Sequence, residues 1–360
     1  MGAEAGPYAT GGPMDLLTQP RLLERFRAPA RSARSRIREA REAREAGLSA
    51  ARDARSGKRH DWREVEEPGR VVERLRRLGM ALEAEELAED PAAPVLEKII
   101  AATDLLPSRF LADGARAARA VGRIRVLVRG ALGTGFMISP RVLMTNNHVL
   151  ESREDAAGSR VEFDFFERST GAVRPVETYA FAPDTLFLTD PGLDYTIVAV
   201  AETSDDGARI AARGWLPVTA ASGKAVVGER VNIIQHPGGR PQEVAIHSNE
   251  VAAVVGDFLH YVTDSEPGSS GSPVCNDQWE VAALHHASRG DVNEGARISR
   301  VVADIGARAD GPGIDRSLMA EVLAATPPPV SEVAVPTVQV GAASGPVVIP
   351  IEIHVGVPVG

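Results

Sequence analysis

Two kinds of hydrophobic pattern divide the chain near residue 121. Before that point, apolar residues recur at the spacing of helical turns, as at Val71, Leu75 and Leu78, which predicts amphipathic helices. The first of these helices is rich in Ala, Arg and Glu and offers few large apolar side chains to bury, so we expect it to need a partner. Two prolines interrupt the pattern after the second helix. The predicted helices cover residues 21–56, 70–89, 95–100 and 110–121.

After residue 121 the pattern changes to short β-like runs separated by turn signals. Among them are IRVLVRG, RVLMTNN, TIVAVA, RVNIIQH and EVAALHHA. About ten such runs within roughly 180 residues are typical of an all-β barrel or sandwich rather than of βαβ units. One more helix is predicted at 315–325, where TPPP ends it. The apolar tail VVIPIEIHVGVPVG is strand-like, and its prolines restrict it to an edge or a loop.

Composition limits the compartment and the partners. With 360 residues, 44% of them hydrophobic, the chain can bury a sizeable core. Its single cysteine, Cys275, can form no intramolecular disulfide. The N-terminus lacks the basic and apolar regions of a signal peptide, and no apolar run approaches the ~18 residues of a membrane span. The sequence therefore predicts a cytoplasmic protein that does not enter a membrane.

Charge is distributed unevenly. The net charge is −9, yet residues 21–60 hold 13 Lys and Arg against 5 Asp and Glu. Such a basic arm could contact nucleic acid, an acidic partner or the rest of the chain. The repeat REAREAREAG favours another interpretation, a solvated helix carrying Arg/Glu pairs. Nucleic acid is therefore not an expected partner.

Three segments carry candidate chemistry. His148 lies in GTGFMISPRVLMTNNHVL, Asp194 in LDYTIVAV and Ser270 in DSEPGSSGSPVC. A serine hydroxyl becomes nucleophilic when an imidazole takes its proton and a buried carboxylate orients that imidazole. The glycines beside the serine permit a tight turn that aims the N–H groups of Gly268 and Ser270 at a developing oxyanion. Each segment alone reads as an ordinary loop, strand end or turn. Their order, each at a predicted strand border, predicts a catalytic triad.

These segments resemble the trypsin-like serine peptidases, and most of all the bacterial branch that includes the glutamyl endopeptidases. GTGF followed by TNNH resembles that branch's histidine segment, LDYTIV its aspartate segment and GSSGSP its nucleophile loop, while QHPGG at 235–239 resembles the turn before the nucleophile strand. The resemblance covers about 121–304. It implies a double six-stranded antiparallel β-barrel that hydrolyses peptide bonds through an acyl-enzyme, with no cofactor and no metal. Ser269 replaces the aspartate that a new N-terminus would pair with, so the resemblance does not imply activation by cleavage.

The resemblance also indicates the specificity pocket, at Asp264, Ser265 and His285. Asp264 falls at the spacing of the pocket carboxylate in Arg/Lys-cleaving enzymes, and His285 falls where glutamyl endopeptidases carry a histidine. A carboxylate selects a basic substrate and a protonated histidine an acidic one, so the two residues imply opposite preferences. A third alternative is that they pair with each other or point elsewhere.

The predicted organisation follows from these segments. Residues 1–20 are expected to be disordered, 21–117 to form a helical extension, 118–310 the peptidase domain, and 311–360 a short helix, a Pro-rich linker and a strand-like tail. The predicted function is a selective intracellular serine endopeptidase acting on protein or peptide substrates. The helices would restrain it by covering the cleft, or would bind a regulatory protein. The alternative is a catalytically idle domain that serves as a binding module or scaffold.

Overall fold

The computed structural model describes residues 30–58, 62–89, 105–168, 170–173, 175–246, 249–289, 292–311 and 314–329. The predictions for residues 1–29, for the helix at 95–100 and for the tail after 329 lie outside these ranges. Everything described below belongs to the compact unit that ends at Pro327. The helices are α1 Ala30–Arg55, α2 Pro68–Arg77, α3 Ala81–Glu89, α4 Arg109–Arg119, α5 Arg153–Ala157, α6 Ile298–Ala307 and α7 Arg316–Ala324.

The strands form two seven-stranded sheets in which every neighbouring pair is antiparallel. The first sheet has the order β5-β4-β1-β2-β3-β7-β6 and the second the order β10-β11-β14-β13-β12-β8-β9. The strands of the first are β1 Val121–Val126, β2 Ala131–Met137, β3 Val142–Thr145, β4 Ser159–Phe163, β5 Glu177–Ala180, β6 Phe187–Asp190 and β7 Tyr195–Ala199. Those of the second are β8 Asn232–Gln235, β9 Glu243–Ala245, β10 Val251–Val255, β11 Phe258–Tyr261, β12 Pro273–Cys275, β13 Val281–Arg289 and β14 Val292–Arg297.

This architecture confirms the predicted fold class, a chymotrypsin-like double barrel preceded by helices. Each sheet has seven strands rather than six. The number six is what the resemblance implies; the strands at one edge of each sheet, β5 and β9, are short, with four and three residues. The predicted change of texture at residue 121 coincides with the first residue of β1.

Apolar side chains from both sheets fill the two barrels. Ile124, Phe136 and Ile197 are fully buried in the first core, and Ile233 and Val274 in the second. Cys275 is also fully buried, and burial raises the pKa of its thiol. The cysteine is therefore a small core residue, as the apolar strand around it predicts.

The helix predicted at 70–89 is two helices, α2 and α3. Gly79 adopts φ +76 after the last residue of α2, and its N–H donates to the carbonyl of Arg76. The N–H of Met80 donates to the carbonyl of Leu75. This pair of bonds is the Schellman arrangement that ends a helix on a left-handed glycine. The helical spacing of apolar residues continues across the break. Periodicity alone therefore predicts one continuous helix.

The first two helices pack on the second sheet. Ala50 and Ala54 of α1, and Val71 and Leu75 of α2, share the core that contains Ile233 of β8. Because α1 gains this partner, it buries one face despite its lack of large apolar side chains. On the other face, exposed Arg and Glu side chains pair four residues apart. This pattern agrees with the solvated-helix interpretation of the basic arm.

Buried ion pairs fix α2 on the barrel. Arg74 Nε lies 2.9 Å from both carboxylate oxygens of Glu229, and Arg74 is only 3% exposed. Burial raises the pKa of Glu229 although the charge of Arg74 opposes that rise. The carboxylate therefore depends on Arg74 to stay ionised.

Replacing Arg74 with methionine is expected to destabilise the protein by about 3–5 kcal/mol, because Glu229 stays buried without its partner. Urea denaturation at neutral pH measures the change. The matched control is Arg76→Met, since Arg76 is exposed and pairs with the half-buried Glu73; there we expect a change within about 0.5 kcal/mol. Equal effects of the two substitutions would show that the ion pair does not hold α2.

Among the described residues, no helix has both the length and the apolar composition that crossing a membrane requires.

Candidate active site

His148 and Asp194 form a buried pair at one end of the first sheet. His148 Nδ1 lies 2.8 Å from Asp194 Oδ2, and the backbone N–H of His148 donates to Asp194 Oδ1 over 3.1 Å. Burial opposes ionisation of Asp194, but the charges and hydrogen bonds of His148 and of His286 outweigh it, and the pKa of Asp194 lies well below its usual value. The ionised carboxylate holds the imidazole with Nδ1 protonated, which leaves Nε2 able to accept a proton.

The ends of two neighbouring strands create this pair. His148 follows β3 and Asp194 precedes β7, and β3 and β7 are adjacent in the sheet. Asn146 Nδ2 donates to the carbonyl of Asp194 over 2.8 Å and anchors that backbone. Asp194 itself has φ +54, a left-handed conformation that is rare for residues other than glycine and that recurs at functional sites.

The turn that contains Ser270 is held by Thr134 of β2. The Thr134 N–H donates to the carbonyl of Ser270, its hydroxyl donates to the carbonyl of Gly268, and both bonds are 2.8 Å long. The Thr134 hydroxyl also accepts the N–H of His236, in the QHPGG segment. Through one threonine, the first sheet therefore fixes the turn before β12 of the second sheet. The GTGF motif marked this segment, but its contact with the nucleophile turn could not be seen in the sequence.

Two backbone N–H groups of the turn, those of Gly268 and Ser270, are available to donate hydrogen bonds to a ligand. The carbonyl of Pro267 accepts the N–H of Gly238 over 2.6 Å. Because the N–H and the carbonyl of a trans peptide point in opposite directions, the N–H of Gly268 points away from Gly238. In the described part of the chain, neither that N–H nor the N–H of Ser270 has an acceptor. This pair of donors is the arrangement that oxyanion stabilisation requires.

A cleft of about 170 Å³ brings the two halves of the site together. No hydrogen bond joins the Ser270 hydroxyl to His148 within the described residues. Catalytic hydrogen bonds are often long in proteins without substrate and tighten when it binds. Residues of the cleft wall from both sheets include His148, Ser265, Gly268, Ser270, His285 and His286.

The three residues predicted for the specificity pocket separate in the structure. Ser265 and His285 line the cleft, whereas Asp264 is exposed and is not part of its wall. In this segment the cleft wall begins at Ser265 and continues through Glu266, Pro267 and Gly268, and Asp264 precedes it. The Ser265 hydroxyl donates to Asn293 Oδ1 over 2.7 Å.

His285 is a neutral imidazole whose tautomer is fixed by Tyr261. Its Nδ1 lies 2.6 Å from the buried hydroxyl of Tyr261. Burial, together with the nearby His286 and His148, lowers the pKa of His285 to about 3. Burial raises the pKa of Tyr261, so the hydroxyl keeps its proton, and among the described residues His285 Nδ1 is the one acceptor within its reach; we therefore assign this bond to donation by the hydroxyl. The proton of His285 is then on Nε2, which can be offered to the cleft.

In an ideal strand, His286 would face away from its neighbour His285. The structure differs. The pairing of β13 with β14 shifts by one residue between His285 and Ala287, so His286 is the extra residue of a β-bulge. Both histidines consequently line the cleft. His286 Nδ1 lies 3.1 Å from Asp194 Oδ2. Only the bulge places His286 beside Asp194, and the sequence carries no signal of it.

Comparison with known proteins agrees with this geometry. Residues 133–284, which contain His148, Asp194 and Ser270, match the family model described as a trypsin-like peptidase domain. Fold, site and family match therefore define this stretch as similar to a trypsin-like peptidase domain. The match supports the coarse class and does not distinguish the glutamyl-endopeptidase branch.

Two curated proteins and one solved structure are similar to parts of this chain. An uncharacterized protein, y4fB, of Sinorhizobium fredii is 35% identical over 280 residues, covering 64% of this chain and 42% of that protein. Secreted RxLR effector protein 73 of Plasmopara viticola is 31% identical over 195 residues, covering 48% of this chain and 45% of that protein. The chain thus spans less than half the length of these curated relatives. The Rv3671c protease of M. tuberculosis, in its inactive form, is 20% identical with a TM-score of 0.41, covering 56% of this chain and 95% of that one.

Proposed function

We propose that this protein is a serine endopeptidase. The observation that carries the proposal is the buried bond of 2.8 Å between His148 Nδ1 and Asp194 Oδ2, in a cleft that also holds Ser270 and two unbonded backbone N–H groups. The hydroxyl of Ser270 attacks the peptide carbonyl, and His148 takes its proton at Nε2. Asp194 stays ionised and stabilises the imidazolium that forms.

The remaining steps use the same groups. The N–H groups of Gly268 and Ser270 donate to the oxyanion of the tetrahedral intermediate. The proton on His148 passes to the leaving amine, the C–N bond breaks, and Ser270 is left as an ester. Water then attacks the ester with His148 again as the base, which releases the acid and restores the hydroxyl.

A library of peptides of mixed sequence tests this function, with cleavage products identified by mass spectrometry. We expect cleavage by the full chain and none by Ser270→Ala. A useful control is Ser272→Ala, because the Ser272 hydroxyl is buried without a hydrogen-bond partner among the described residues; this variant should keep its activity. If the full chain cleaved no peptide, or Ser270→Ala cleaved as well as the full chain, the proposal would be wrong.

The pocket supports selection of an acceptor-bearing side chain, acidic rather than basic, before the cleaved bond. His285 offers a neutral N–H donor to the cleft, while Asp264 is exposed outside the cleft wall. Because the pKa of His285 is about 3, the donor is uncharged at neutral pH. The selection would then rest on a hydrogen bond to the substrate carboxylate and not on opposite charges.

Fluorogenic peptides with Glu, Arg, Lys or Phe before the cleaved bond test this preference. We expect kcat/KM to be about 10- to 100-fold higher for Glu than for Arg, which is the range of one hydrogen bond to a charged group. His285→Leu should remove most of this difference, and Asp264→Asn should leave it intact because its side chain is outside the cleft. Faster cleavage of Arg peptides, lost in Asp264→Asn, would contradict the proposal.

The alternative function is an idle peptidase fold that serves as a binding module. The observation in its favour is that Ser270 is not hydrogen-bonded to His148 in the described part of the chain. Against it stand the ionised Asp194 and the free N–H groups of the turn, which a binding module would not need. Labelling of Ser270 by an active-site reagent separates the two functions.

For this proposed enzyme, the N-terminal helices would stabilise the second barrel. The exposed face of α1 would be the surface that recruits a partner. No residue of α1, α2 or α3 lines the cleft, which favours recruitment of a partner over restraint by covering the site. We also propose that the enzyme acts inside the cell, where a single buried cysteine suits a reducing compartment. Peptide or protein substrates are the partners that the proposed reaction requires.

A further inference from the structure

A second buried histidine contacts the carboxylate of the candidate triad. His286 Nδ1 lies 3.1 Å from Asp194 Oδ2, and His286 Nε2 lies 2.9 Å from Glu294 Oε1. The His286 side chain is 1% exposed. An imidazole nitrogen that faces a carboxylate oxygen at this distance carries a proton. A carboxylate at each nitrogen favours the imidazolium form of His286.

The chain of contacts continues beyond Glu294. His260 Nε2 lies 2.8 Å from Glu294 Oε2, and both side chains are at most 10% exposed. Within the described residues, His260 Nδ1 is buried without a hydrogen-bond partner. Glu294 thus contacts two buried histidines, His286 through Oε1 and His260 through Oε2.

Burial disfavours a charge on His286, but its hydrogen bonds to Asp194 and Glu294 and the charges of those two groups outweigh burial. The pKa of His286 is therefore raised above its usual value. The acids on either side come from different elements, Asp194 from the start of β7 and Glu294 from β14. Among the described residues, titratable groups around this cluster include His285, which interacts with His286 and His148, and Tyr261 and His260, which interact with Glu294.

We propose that His286 is a positioning residue for the proposed peptidase. It holds Asp194 Oδ2 in place, and it reduces the net negative charge beside His148 at the moment when His148 takes the proton of Ser270. This inference rests on the proposed function. With Asp194 and Glu294 ionised and His286 protonated, the cluster carries one net negative charge while His148 is neutral. Proton transfer to His148 makes the cluster neutral. Without His286, the positive charge between Asp194 and Glu294 would be lost.

Two substitutions in the full chain change this balance in opposite directions. His286→Gln removes a positive charge beside Asp194 but keeps an amide donor, so protonation of His148 becomes easier. Glu294→Gln removes a negative charge and keeps an acceptor for His286, so protonation of His148 becomes harder. The acidic limb of the kcat/KM profile, where activity falls because the base is protonated, reports this difference.

We expect His286→Gln to lower kcat by about 10- to 100-fold, the range of one charge-assisted hydrogen bond, with a smaller change in KM. Its acidic limb should move to higher pH, and that of Glu294→Gln to lower pH. The control is Asp257→Asn, an exposed carboxylate in the turn between β10 and β11, whose profile should match the unmodified protein. Unchanged limbs in both test variants, or shifts in the same direction, would overturn the proposal.

A readout that needs no activity separates this inference from the proposed function. NMR spectra of protein with ¹⁵N-labelled histidine are recorded from about pH 5 to pH 8. One imidazole should stay protonated on both nitrogens at pH values above the usual pKa of histidine. His286→Gln should lack this signal. Absence of the signal from an active protein overturns the inference alone. A signal in a protein with no peptidase activity overturns the proposed function and the catalytic role of His286, while its charge state stands.

Discussion

Replacing Asp194 with asparagine is expected to lower kcat/KM by about 10⁴-fold, the loss known for such a change in catalytic triads. The amide N–H₂ group cannot accept the proton that His148 Nδ1 donates. The imidazole then favours the tautomer with its proton on Nε2, which cannot take a proton from Ser270. The same substitution removes the acceptor of His286. Kinetics with a cleaved peptide, together with a thermal unfolding curve, measure the effect.

A matched control comes from the preceding turn. Asp190 Oδ1 accepts the N–H of Leu193 over 2.7 Å, and the Asp190→Asn variant keeps an oxygen for that bond. We expect this variant to retain full activity. A fall in activity of tenfold or less in Asp194→Asn, with the protein folded, would mean that Asp194 does not orient the base.

Replacing Gly271 with alanine is expected to destroy the nucleophile turn. Gly271 has φ +89, and an added Cβ would lie 2.0 Å from the carbonyl oxygen of Thr134 and 2.4 Å from the hydroxyl of Thr145. The nearest of these atoms is backbone, so the turn or strand β2 has to move. We expect a loss of stability above about 3 kcal/mol, as for severe core clashes and backbone strain together, and loss of activity even in the folded fraction. Urea denaturation and peptide hydrolysis measure the two effects.

Gly256 provides the control for backbone strain alone. It has φ +58, and an added Cβ would meet nothing within 4 Å. Gly256→Ala should therefore cost about 1–2 kcal/mol, the price of a left-handed alanine, and leave the activity unchanged. If Gly271→Ala cost no more than Gly256→Ala, the close approach of Thr134 to the turn would not constrain this part of the site.

The order of helices and strands was largely predictable because it depends on local patterns. The apolar periodicity located α2, α3 and α4, and the alternating runs located the barrel strands. The break at Gly79 was not predicted, because one glycine in an amphipathic pattern does not by itself end a helix. The docking of α1 on β10 was also not visible, since it depends on small residues such as Ala50 and Ala54 and on a partner distant in sequence.

For the candidate site, the motifs located the residues that lie at strand ends. They did not reveal the residues that contact them from distant parts of the sequence. The structure brings His148, Asp194 and the Ser270 turn together as the order of the motifs predicts. Thr134 was found only as part of a motif, since its bonds to Gly268 and Ser270 span more than 130 positions. The role of His286 depends on one bulge in β13, and a bulge reverses the facing that strand alternation predicts.

The pocket shows where spacing along a sequence is a weak guide. Asp264 has the spacing of a pocket carboxylate, yet it is exposed, while Ser265 beside it lines the cleft. His285 is better determined, because Tyr261 and the surrounding strands hold it inside the barrel.

The most direct test of the central claim is covalent labelling of Ser270 by a fluorophosphonate, which reacts with a serine only when a neighbouring base activates it. Intact-mass measurement of the full chain gives the number of labels, and peptide mapping gives the residue. We predict one label, on Ser270, that is lost in His148→Ala while the protein remains folded. Absence of labelling in the folded full chain, or equal labelling of His148→Ala, would contradict the account.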